Sequence, residues 1–266
     1  MADSVYISTN LNKKQLQFIQ LLETYEIAYF SMQSIERKIN HQFSNLNEIL
    51  ENLVNKNVLV RLERGKYANT QYANLYVLGS FIANGGVVAF WSALHLHKLT
   101  SRFPNKLFIK TTARKRNTNI LGTPIKFVSV LKRKNIGISQ NGYGDNAYPI
   151  TNIEVTLIDC FDQPRYAGDF EDLIKAFAQA KLSAGKLIAY TKAYNNKAVT
   201  KRLGYLASLF HPKKLKAFIK YAQTQVNKKY NVLDAGGLEK GAFNSTWKLR
   251  LNVSEQEILN MVQSHY

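Results

Sequence analysis

The sequence predicts an α+β chain in two parts, a small helical module over residues 1–72 and a larger mixed α/β domain over residues 73–266. Three observations carry that reading. Apolar residues recur at helical spacing as far as Asn55, then give way to an extended segment that turns at a glycine. From Asn74 onward short extended runs mix with longer helical ones, and the C-terminal half is the more helical. Charge divides at the same boundary: residues 1–72 hold eight basic and seven acidic side chains, whereas residues 73–266 carry a net charge of +17.

In the first module, Leu16, Ile19, Leu22 and Tyr25 recur at helical spacing after a polar lead of Thr9 and Asn10. Ser31 suits the N-cap of a second helix with Met32, Ile35 and Ile39 on one face. Ser44 is the expected cap of a third, in which Leu46, Ile49, Leu50, Leu53 and Val54 form a single apolar stripe. Val58–Leu62, Glu63-Arg64-Gly65 and Lys66-Tyr67-Ala68 then read as a β-hairpin.

Three helices followed by a basic hairpin is the order of a winged helix-turn-helix, whose third helix enters the DNA major groove while the wing meets neighbouring phosphates. The expected DNA-binding residues are Ser44, Asn45, Asn47, Glu48 and Asn52 on the third helix and Arg61, Arg64 and Lys66 on the wing. Asparagine matches adenine edges and glutamate accepts from cytosine, but Glu48 and Glu51 repel phosphate.

In the second part, helices are expected at Leu75–Ala83 and Phe90–His97, separated by Gly85-Gly86. Extended segments follow at Leu107–Thr111, Ile125–Leu131 and Ile150–Val155. Helices are expected at Phe170–Ala180, Lys186–Tyr194, Lys197–Leu209 and Lys214–Lys228, then a strand at Trp247–Leu251 and a closing helix at Glu255–Val262.

With 266 residues and 45% hydrophobic content, the chain is long and apolar enough for a proper core. The single cysteine, Cys160, excludes an internal disulfide or a multi-cysteine metal site. Met1-Ala2-Asp3-Ser4 lacks the pattern of a signal peptide, and no apolar run has the length of a membrane span, so a cytoplasmic protein is expected. The total charge of +18 points to a polyanionic partner.

Chemistry-bearing patterns are sparse. Asp145, Glu154 and Asp159 are the carboxylates that a metal-dependent nuclease would use, but no Glu-x-Lys accompanies them. Structural roles fit Glu154 as a helix-start cap and Asp159 as an ion-pair member. His95 and His97 are two apart and diverge on a helix. Cys160 reads as a buried thiol, and Asp234–Gly241 as a turn. No catalytic residue, metal set or cofactor motif is expected, which leaves nuclease and protein-interaction adaptor as alternatives to a regulator.

Basic clusters recur at Arg114-Lys115-Arg116, Lys132-Arg133-Lys134, Lys201-Arg202, and Lys213, Lys214, Lys216 and Lys220. Arg114, Lys115, Arg116 and the four lysines of the last cluster are the expected phosphate contacts outside the winged module.

Three ordered stretches carry a family resemblance: Leu62-Glu63-Arg64-Gly65-Lys66-Tyr67, Ser92–Thr100, and Glu154–Cys160 running on to Pro164, Tyr166 and Gly168. Together they resemble the AbiEi family, antitoxins and predicted transcriptional regulators of viral defence by abortive infection. The resemblance implies an N-terminal domain that binds the double-stranded DNA of its own operator and represses its operon. It also implies a C-terminal domain that counters a nucleotidyltransferase-like toxin without need of a stable complex. Lys98 and Val155 depart from the family pattern, which has glycine and arginine there.

Overall fold

A computed structural model of the chain describes residues 10–263. The first helix, α1 (Lys13–Thr24), begins with a capping box in which the Asn12 side chain accepts from the Gln15 amide at 2.9 Å. Its buried face is Gln15, Phe18 and Leu22 rather than the expected stripe, because Phe18 inserts between Phe30 and Phe43. Leu16 and Tyr25 are exposed as a result. Thr9 lies outside the described residues.

Strand β1 (Tyr29–Ser31) leads into α2 (Met32–Lys38), and α3 (Leu46–Asn55) follows a turn tied by the Phe43 amide donating to Glu36 at 2.8 Å. Asn45, not Ser44, occupies the α3 N-cap position, and its side chain engages Glu48 instead of a backbone amide. Ser44 stands one residue further out. Strands β2 (Leu59–Glu63) and β3 (Lys66–Asn69) turn through Gly65, whose φ of +74° is costly for any residue with a Cβ. With β1 pairing antiparallel to β3, the sheet order is β1-β3-β2. The three-residue β1 was not expected, being too short for a periodic signal.

This small sheet is two-faced. Leu59 and Tyr67 pack on α1–α3, whereas Leu62 and Ala68 join the core of the larger domain beside Val77, Leu78 and Ile82. The winged module is therefore docked by its wing, and the expected boundary at residue 72 is a shared apolar seam.

Beyond it, α4 (Leu75–Ile82), β4 (Val87–Val88), α5 (Phe90–Leu96), β5 (Leu107–Thr111), β6 (Thr118–Ile120), β7 (Thr123–Ser129), β8 (Ile138–Asn141) and β9 (Tyr148–Thr151) form the middle of the molecule. Their six strands lie in the order β6-β7-β5-β4-β9-β8. Alternation along β5 separates two layers: Leu107 and Ile109 face α4 and the wing, and Phe108 faces the helices that follow. Those helices are α6 (Ile153–Asp162), α7 (Phe170–Gln179), α8 (Ala184–Tyr194), α9 (Lys197–Phe210), α10 (Lys216–Thr224) and α11 (Glu255–Gln263). A second small sheet, β10 (Asn231–Val232), β12 (Leu249–Leu251) and β11 (Ala242–Asn244), packs beside α9. The fold is α+β, a winged helix-turn-helix followed by a larger domain with a helical C-terminal half.

The extended segment expected over Ile150–Val155 ends at Thr151. Asn152 turns the chain by accepting from the Val155 amide at 3.0 Å, so Glu154 and Asp159 sit on a helix. The expected helix at Lys214–Lys228 is confined to Lys216–Thr224, and the expected strand at Trp247–Leu251 to its last three residues.

Candidate nucleic-acid interface

On α3 the core takes Leu46, Ile49, Leu50 and Leu53, which leaves Asn45, Asn47 and Glu48 exposed and Asn52 half-buried. Glu51 is withdrawn from this face: its carboxylate accepts from Arg61 Nη1 at 3.0 Å and from the Tyr67 hydroxyl at 3.4 Å. The pair neutralises one of the two acids that disfavour phosphate on α3, and Arg61 is occupied by doing so.

The wing carries Arg64 exposed at its tip, while Lys66 points inward. Its ammonium donates to the Phe81 and Ile82 carbonyls at 2.9 and 3.0 Å and to Asn84 Oδ1 at 2.6 Å. Lys66 thus caps the C-terminus of α4, where a cation meets unpaired carbonyls and the negative end of the helix dipole. Expected on the DNA-facing wing, Lys66 is instead half-buried and engaged by α4.

Glu63 is the hinge point of the electrostatics. Its carboxylate meets Lys66 at 3.1 Å and Lys115 at 2.5 Å. Burial pushes the Glu63 carboxyl up, but the hydrogen bonds and charges of Lys115 and Lys66 outweigh it and hold the group below the ordinary glutamate range. Lys115, expected to touch phosphate, is engaged here and also lies over the Phe127 ring at 5.5 Å. Its neighbours Arg114 and Arg116 remain exposed beside the wing. The Lys115–Glu63 contact ties the segment that carries Arg114 and Arg116 to the wing that carries Arg64.

The other basic clusters divide differently. Arg133 donates to the Ala193 and Tyr194 carbonyls, capping α8, and Lys134 pairs with Asp162 at 2.5 Å. Lys201 is fully buried among Asn227 Oδ1, the Lys229 carbonyl and the Lys248 carbonyl at 3.2, 2.6 and 3.3 Å, and Arg202 donates to the Val232 carbonyl. These cations hold structure together. Lys213, Lys214, Lys216 and Lys220 are exposed, with no ion pair among the described residues. They are not beside the wing: α10 packs on α8 and α9, these pack on α6, and the six-stranded sheet lies between α6 and the winged module.

The candidate nuclease carboxylates are not brought together. Asp145 lies in the loop whose carbonyl accepts from Tyr72, Glu154 accepts from the Ser183 amide at 3.0 Å, and Asp159 is buried against Lys110 at 2.7 Å. Tyr194 donates to the second Asp159 oxygen. Burial pushes the Asp159 carboxyl up, with Lys110 and Tyr194 pulling against it, and pushes the neighbouring Cys160 thiol well up. Among the described residues no group of three or more His, Cys, Asp and Glu is placed to hold a metal ion, and no helix is long and apolar enough to cross a membrane.

The fold defines a winged-helix protein with a larger α+β domain, a protein on which Arg64, Arg114 and Arg116 are exposed. No protein-family profile and no curated protein matches the chain. Among solved structures, the crystal structure of the RV2827C protein from Mycobacterium tuberculosis is similar over 97% of both chains, with a TM-score of 0.69 and 14% identity. That likeness extends the fold across the whole length, winged module and larger domain alike.

Proposed function

We propose that the chain is a regulator that binds double-stranded DNA at its own operator, an antitoxin of the AbiEi type acting in the cytoplasm against a nucleotidyltransferase-like toxin. The Lys115–Glu63 contact supports the DNA reading most directly, because it ties the segment bearing the exposed Arg114 and Arg116 to the wing bearing the exposed Arg64. In this reading Asn45, Asn47 and Asn52 meet base edges, and the three arginines neutralise the flanking phosphates. The AbiEi-like order of motifs supports the antitoxin part. The separated carboxylates favour binding over cleavage as the use of this surface.

The test is a titration of the full chain against DNA from upstream of its own gene, with scrambled DNA as competitor, at several salt concentrations. Arg64→Ala, Arg114→Ala and Arg116→Ala should each weaken binding to all sequences and reduce the salt slope by about one. Asn47→Ala should instead relax sequence preference. Equal affinity for both DNAs would overturn the operator reading, and an unchanged salt slope in all three arginine variants would remove the wing-side patch from it.

A further inference from the structure

A second cationic site lies on the opposite face of the six-stranded sheet from the winged module. Along β7, Ile125 and Phe127 face α4, so Lys126 between them faces the other way, as Phe108 does on β5. There a cleft of about 580 Å³ opens between β7, Trp91 of α5 and the turn at Pro164–Tyr166.

Three cations line it: Lys106, Lys126 and Arg165. None of the three has a carboxylate partner among the described residues. Asp169 is the acid in the lining, and Arg102 already pairs with it. Like charges around a concave wall repel unless an anion enters. Beside them the Tyr166 ring is flanked by the Arg165 guanidinium at 4.7 Å and the Lys126 ammonium at 5.8 Å. The Trp91 indole N–H is buried with no acceptor among the described residues. Gly168, at φ +81°, lies so close to that indole that a Cβ would stand 3.2 Å from its ring.

Uncompensated cations next to aromatic rings in a cleft of this size match a ligand that is both anionic and planar. We propose that the cleft binds a free nucleotide, its phosphate held by Lys106, Lys126 and Arg165 and its base lying along the Trp91–Tyr166 wall. The proposal is separate from operator binding, since Lys106, Lys126 and Arg165 are not among the residues assigned to the DNA surface.

Isothermal titration of the full chain without DNA tests it, using AMP, GMP, adenosine and inorganic phosphate as probes. AMP or GMP should bind saturably and more tightly than adenosine or phosphate alone. Lys126→Glu at a half-buried position and Arg165→Glu at an exposed one, folding checked by thermal melting, should each weaken nucleotide binding at least tenfold. Trp91→Phe should weaken it while leaving the dependence on Lys126 intact. Absence of binding at millimolar nucleotide would overturn the proposal, as would equal binding by the Lys126→Glu/Arg165→Glu double variant. Phosphate bound as tightly as AMP would overturn the role of the base. A single-stranded oligonucleotide that displaces AMP and binds more tightly would overturn the assignment to a free nucleotide.

Discussion

Glu63 on the wing accepts a hydrogen bond at 2.5 Å from Lys115, a residue 52 positions further along the chain. The bond spans the seam between the winged module and the sheet domain, and it fixes the loop carrying Arg114 and Arg116. Placement of the Arg114–Arg116 segment against the wing therefore depends on an ion pair whose own charges cancel.

Lys115→Ala should leave the fold intact, because a partly exposed pair contributes only about 0–1 kcal/mol, yet should lower DNA affinity by loosening the arginine loop. The pair also sets a pH dependence. Glu63 titrates below its ordinary value of 4.5, so its stabilisation is complete above that pH and is lost as the pH falls through the folded-state value. The stability gap between the native chain and Glu63→Gln, measured by urea unfolding, should shrink with acid across that window. A gap that widens toward low pH would contradict the pairing.

Lys66→Met should behave oppositely to Arg64→Ala. It leaves the Phe81 and Ile82 carbonyls without their cation, at a cost of about 1–3 kcal/mol. The melting temperature should fall by several degrees while the salt slope of DNA binding stays unchanged. A reduced slope with an unchanged melting temperature would return Lys66 to the DNA-facing surface.

The Lys110–Asp159 pair is fully desolvated, so removing one partner strands the other. Asp159→Ala should cost about 3–5 kcal/mol in urea unfolding, and Lys110→Met/Asp159→Leu should recover a large part of that loss. The double variant tests whether the pair is a stability element or a device for specifying the packing of β5 on α6. A double variant as unstable as Asp159→Ala would assign the stability to the network with Tyr194 and Lys134.

Lys201 provides an alkaline signature. Burial, with Arg202 and Lys229 nearby, pushes its ammonium down to about 8 from the ordinary 10.5. Between those values the unfolded chain binds the extra proton, so stability relative to Lys201→Met should rise with pH across the window. Parallel pH profiles for the two proteins would show that Lys201 keeps its proton in its cage of carbonyls.

Local pattern alone determined much of the winged module. The i, i+3, i+4, i+7 stripe from Leu46 to Val54 demands a helix with one buried face, and Gly65 between two extended runs demands a tight turn. Most helices of the larger domain were legible for the same reason, since their buried faces repeat within each segment. What only the tertiary structure decided was partnership across distance. Strands β1 and β4, of three and two residues, exist because β3, β5 and β9 lie beside them. Asp159 and Lys201 look alike in sequence to exposed charges, and they are buried because residues dozens of positions away supply their hydrogen bonds. The site follows the same division. Asn45, Asn47 and Arg64 are exposed by local pattern, while the segment carrying Arg114 and Arg116 is tied to the wing by the Lys115–Glu63 contact, which no local spacing encodes. Side-chain period is a property of neighbours in the chain, whereas charge pairing and burial are properties of neighbours in space.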